Sequence, residues 1–127
     1  MQFVSIDVET ANPDMGSICQ IGLATFVEGQ LVDEWSTLVD PEDYFDFVNV
    51  SIHGIEQETI AGQPKLPEIE DRLRAALENR ISVCHTHFDR IALNRAFAKY
   101  GLKSLSTTWL DSARVVRRTW KYLAWRG

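Results

Sequence analysis

The residues best able to do chemistry stand in two short stretches. The first is Ile6-Asp7-Val8-Glu9-Thr10, two acids closing an otherwise apolar run. Side chains alternate along a strand, so this spacing puts Asp7 and Glu9 on one face, about 7 Å apart. Two like charges at one strand end are costly unless something positive lies between them. A hard divalent cation such as Mg2+ or Mn2+ answers that need. The second stretch is His85-Thr86-His87-Phe88-Asp89. It follows an apolar run and opens a helix, so Asp89 falls in the first helical turn, where the backbone dipole favours a carboxylate. Adjacent strands lie about 4.8 Å apart, and neighbouring strands would bring Asp89 to the Asp7/Glu9 pair. Each acid alone has a plainer explanation, as a solvated strand end or a helix-start acid. Three acids converging from two strand ends point to a metal site. His85 and His87 read as solvated or core-edge histidines, and His53, in Ile52-His53-Gly54-Ile55, as a turn residue.

The elements that must position these acids follow from hydrophobic patterning. Phe3–Val8 reads as a buried first strand, Ile18–Val27 as a second and Leu31–Val39 as a third, with Glu28-Gly29-Gln30 a tight turn between the last two. The stretch through Tyr44, Phe45 and Phe47 is aromatic and irregular. Leu66-Pro67-Glu68 opens a helix with the stripe Leu66, Ile69, Leu73, Ala76 and Leu77. Ile81–Cys84 is a fourth strand, and a second helix runs from about Phe88 to Tyr100, stopped by Gly101. Thr107–Leu110 is a fifth strand, and a third helix begins near Ser112. This order predicts an α/β fold: a mixed five-stranded sheet, three antiparallel strands then parallel ones, flanked by helices.

The 127 residues fit one domain, and 45% hydrophobic residues suffice for a packed core. A net charge of −5 argues against holding nucleic acid by charge alone, but not against an enzyme whose carboxylates hold metal. Cys19 and Cys84 sit in apolar runs and read as reduced core cysteines. The N-terminus lacks a signal-peptide pattern, and no run reaches the roughly 18 apolar residues of a membrane span, so the sequence reads as soluble and cytoplasmic.

Taken together, these stretches resemble the DEDD 3′→5′ exonucleases, and within them the DnaQ-like branch that includes the proofreading epsilon subunit of bacterial DNA polymerase III. Phe3 to Asn12 resembles the first exonuclease motif, Ile18-Cys19-Gln20-Ile21-Gly22 the second-strand signature, and Leu38-Val39-Asp40-Pro41 and Ile52-His53-Gly54-Ile55 two further landmarks. Thr86-His87-Phe88-Asp89 resembles the second motif. The resemblance spans nearly the whole chain. It implies a ribonuclease H-like fold over residues 1–127, with Asp7, Glu9 and Asp89 as catalytic metal ligands for two Mg2+ or Mn2+ ions. It further implies contacts to the 3′ end of a single strand from Thr10, Ala11, Asn12, His53 and Phe88. The product would be a nucleoside 5′-monophosphate, and a replicative polymerase is an implied partner.

The sequence departs from the pattern in two places. His85-Thr86-His87 stands where the second motif carries His-Asn, which puts a substrate contact in doubt. The third motif, a helix bearing a His and then an Asp, does not occur before Gly127. Asp111 lies too early, on a different element, to be its acid. The expectation is therefore a fragment incomplete at the C-terminus, inactive or impaired alone. Arg114, Arg117, Arg118, Lys121 and Arg126 form a basic tail that reads as a solvated helix face or a phosphate track. Two rival functions stay open: a non-catalytic nucleic-acid-binding or adaptor module on the same fold, and an RNA-trimming relative.

Overall fold

The computed structural model describes residues 1–111. The third helix and the basic tail expected from the sequence lie outside them. Three strands, β1 (Gln2–Thr10), β2 (Ile18–Val27) and β3 (Gln30–Leu38), form an antiparallel meander. The β2–β3 hairpin turns on Glu28 and Gly29, both at positive φ (49° and 78°), the geometry that matches the twist of paired strands. Then follow α1 (Phe47–His53), α2 (Leu66–Leu77), β4 (Ile81–Cys84), α3 (His87–Lys99) and β5 (Thr108–Asp111). The sheet order is β3-β2-β1-β4-β5, with β4 parallel to both β1 and β5. The mixed five-stranded sheet read from the sequence is the one observed.

Alternation along β1 divides the sheet. Val4, Ile6 and Val8 are buried on one face and join Ile21 and Leu23 of β2. Leu66, Ile69, Leu73 and Leu77 of α2 and Ala92, Leu93, Ala96 and Phe97 of α3 complete that core. Both long helices thus pack on the same face. A smaller cluster of Ala11, Cys19, Ile55 and Ile60 lies under the segment leading to α2.

Local chemistry sets the helix ends. The Glu68 side chain accepts from the Lys65 backbone N–H at 3.4 Å, and Pro67 occupies the first turn of α2. Thr86 caps α3, its hydroxyl accepting from the Phe88 N–H at 3.2 Å. Gly101, at φ 67°, reverses the chain after α3, and the Leu102 N–H returns to the Phe97 carbonyl.

The helix α1 is the element the sequence reading did not see. It buries none of its seven residues, so it carries no apolar stripe to detect. Its ends are set instead by an Asp46 cap that accepts from the Val48 N–H and by Gly54 at φ 73°.

Candidate active site

The central strand β1 carries Asp7 and Glu9 on the face opposite the core, Asp7 exposed and Glu9 half-buried. Strand β4 pairs with β1 only from Val4 to Ile6, opposite Ser82 to Cys84. Beyond Cys84 the chain turns through His85 and Thr86 into α3, while β1 runs on to Thr10. At this fork the Val8 N–H has lost its strand neighbour, and the Asp89 side chain takes its place, Oδ1 accepting at 3.1 Å. Asp89 is consequently buried, with 3% of its surface exposed. A crevice at the carboxyl ends of parallel strands, where the chain departs to opposite sides, is where open α/β sheets bind ligands.

Electrostatics mark the same spot. Burial raises the Asp89 carboxyl above the usual carboxylate range; the Val8 hydrogen bond opposes the rise and the charge of Asp7 adds to it. Burial and the charge of Glu9 push the Cys19 thiol up to about 12. The Cys84 thiol is raised by burial, then by Asp89 and Asp111, against a smaller opposing effect of Arg90. Negative charge therefore accumulates around the ends of β1 and β4. Hard oxygen donors in such a field suit Mg2+ or Mn2+. The donor chemistry fits, although among the described residues no three His, Cys, Asp or Glu side chains enclose an ion position.

The segment after Glu9 is held by hydrogen bonds. Thr10, Ala11 and Asn12 are all buried. The Asn12 amide donates to the Tyr44 carbonyl at 2.9 Å, and its Oδ1 accepts from the Asp14 N–H at 2.8 Å. His53 bonds backbone with both ring nitrogens: Nε2 lies 2.8 Å from the Thr10 carbonyl, and Nδ1 accepts from the Ile55 N–H at 2.9 Å. The second bond leaves Nε2 to carry the proton and donate. Asn49 Nδ2 donates to the same Thr10 carbonyl at 3.2 Å. The structure thus places His53 beside the end of β1, with its ring tying α1 to that strand. The Asn49 contact to Thr10 was not announced by the sequence; its one available signal was the helical i, i+4 spacing to His53. His53→Ala should loosen α1 and cost about 1–3 kcal/mol, because the Ile55 N–H loses its acceptor. Urea melts measure the loss, and amide exchange should place it between residues 44 and 60.

Phe88 lies half-buried against the main core. His85 and His87 are exposed. His87, Arg90, Trp109, Leu110, Asp111 and Cys84 line a cavity of about 360 Å³ at the ends of β4 and β5. On the face that carries Asp7, a shallow trough runs past Ser5, Gly22, Ala24 and Ser36.

The family model described as Exonuclease (RNase T) matches residues 4–124. The chain belongs to this exonuclease family. Its relatives include the PolC-type DNA polymerase III of Thermotoga petrophila, 34% identical over 90 residues, which are 68% of this chain and 7% of that polymerase. The corresponding enzyme of Halalkalibacterium halodurans is 24% identical over 119 residues, 91% of this chain and 8% of that polymerase. The exonuclease domain therefore spans under a tenth of the length of the polymerases it matches. Among solved structures, Exonuclease X in complex with 5′-overhanging duplex DNA superposes with a TM-score of 0.68 at 23% identity, covering 93% of this chain and 64% of that one. E. coli Exonuclease I bound to an oligonucleotide gives a TM-score of 0.78 at 12% identity, covering 94% and 30%. These likenesses show the shared fold, a ribonuclease H-like exonuclease sheet. Among the described residues, no helix is long and apolar enough to cross a membrane.

Proposed function

We propose that this exonuclease domain removes nucleoside 5′-monophosphates from the 3′ end of single-stranded DNA with the help of two divalent ions. The observation that carries this reading is the placement of Asp7 and Glu9 on one face of the central strand, with Asp89 buried at the adjacent fork. Bound Mg2+ or Mn2+ would supply an activated water and stabilise the leaving 3′ oxygen. Asp7 is exposed on the open face and would hold both ions. Glu9 would help hold one and contact the terminal 3′-OH. Asp89, fixed by the Val8 N–H, would hold the second. Thr10, Ala11 and Asn12 form the rigid wall beside Glu9, with His53 fixing its backbone, and Phe88 stands beside Asp89 in the first turn of α3. These five are proposed to shape the pocket for the terminal nucleotide. The PolC-type relatives support a replicative polymerase as the partner.

The test uses a 5′-labelled single-stranded oligonucleotide with Mn2+. Shortening, however slow, is expected to proceed from the 3′ end, to release 5′-monophosphates and to stop on chelation. Strand binding without metal-dependent shortening, both by this chain and by a version extended with a helix bearing the third-motif His and Asp, would overturn the reading in favour of an adaptor module. Faster trimming of RNA than of DNA would move the substrate class to RNA.

A further inference from the structure

Gly22 sits in the middle of β2, paired with Asp7 of β1 on one side and Ser36 of β3 on the other. A glycine inside a strand costs about 0.5–1 kcal/mol relative to alanine, so it usually has a local reason. The ordinary reasons do not apply here. Gly22 is not among the glycines with positive φ, which are Gly29, Gly54, Gly62 and Gly101. The ladders on both sides run through it in register, and the irregularities fall elsewhere, at Glu9/Thr10 and Thr25/Phe26. Nor do the described residues crowd it: a β-carbon at Gly22 would meet only the Asp7 carbonyl oxygen, at an ordinary 3.9 Å.

What the missing side chain leaves is space next to Asp7. Directly paired residues share a face, with β-carbons about 4.5–5.5 Å apart, so a side chain at position 22 would stand beside the Asp7 carboxylate. A Mg2+ or Mn2+ ion on that carboxylate needs room for further oxygen ligands, because such ions retain several waters or phosphate oxygens.

We infer that Gly22 is a positioning residue that keeps clear the volume in which an ion held by Asp7 completes its shell of water and phosphate oxygens. The inference rests on the metal-dependent reading above. It makes the glycine a local sacrifice of stability for function, the trade expected near an active site.

Gly22→Ala and Gly22→Val test it through two readouts, thermal melting without metal and Mn2+ binding by calorimetry. Both variants are expected to melt no lower than the wild type, since β-carbons fit and valine favours strands. Mn2+ affinity is expected to fall in the order Gly, Ala, Val, with Val weaker by about tenfold or more, as for residues that act on a metal through its ligands. Unchanged affinity in Gly22→Val overturns the inference. So does a lowered melting temperature in Gly22→Val with intact affinity in Gly22→Ala, which would make Gly22 a packing residue. Asp7→Asn run in parallel separates the two levels. Loss of binding there with none at Gly22 sinks only this inference, whereas no Asp7-dependent binding in the wild type sinks the metal reading and this inference with it.

Discussion

Asp89→Asn is expected to stabilise the metal-free fold at neutral pH while abolishing metal-dependent turnover. Asp89→Ala is expected to destabilise it. The contrast follows from the two things the carboxylate does at the fork. One oxygen accepts the Val8 N–H at 3.1 Å, and an asparagine oxygen can accept the same bond. Alanine cannot, and a buried N–H left without a partner costs about 1–3 kcal/mol. The charge is a separate matter. Burial, with the charge of Asp7 adding to it, raises the Asp89 carboxyl above its ordinary value. A raised carboxyl prefers its neutral form in the folded state, so ionising it costs stability as pH climbs past the unfolded value of about 3.9. Below that value wild type and Asp89→Asn should melt alike. The advantage of Asn should open as pH rises through the raised folded value and stay constant above it. Melts at about pH 3 and about pH 7 read this directly. An Asn variant as unstable as the Ala variant at neutral pH would contradict the account. Added Mn2+ should reverse the ranking, because the charged carboxylate holds a divalent ion more strongly than the neutral amide oxygen of asparagine.

Asp7→Asn should have the opposite profile: almost nothing for the fold, and nearly everything for activity. Asp7 is exposed and lies off the packed face of β1, so the change should stay within about 0.5 kcal/mol. It also removes a negative charge that disfavours ionisation of Asp89. As the proposed ligand of both ions, however, it has no substitute on that strand face except the single carboxylate of Glu9. Loss of an outer partner of a metal ligand costs about 10–100-fold, and loss of the ligand itself should exceed that range. Comparing oligonucleotide shortening and melting temperature in the same preparation checks both halves. A variant that melts well below wild type would show that Asp7 supports the fold instead.

Much of this was legible in the sequence because the relevant signals are local. A short apolar, β-branched run locates β1, and the two-residue spacing puts Asp7 and Glu9 on one face. The Leu66, Ile69, Leu73, Ala76 and Leu77 stripe locates α2; four of the five are buried and Ala76 is half-buried against the same core. Other features depend on contacts distant in the chain. The bond from Val8 to Asp89 joins residues 81 apart, and no spacing rule announces that a helix-start acid will replace a strand partner. The helix α1 escaped notice because polar bonds from Asn49 and His53 to Thr10 hold it, not burial. His53 stood out through the Ile52-His53-Gly54-Ile55 landmark, yet its commitment to backbone through both nitrogens could be seen only in the fold.

The most direct test of the central claim, that the ends of β1 and β4 form a divalent-metal site, is Mn2+ binding by calorimetry in the presence of a nucleoside 5′-monophosphate. The wild-type chain and Asp7→Asn should be measured side by side. The account predicts binding to the wild type that Asp7→Asn abolishes while its melting curve stays in place. Equal binding by both, or binding by neither, would contradict it.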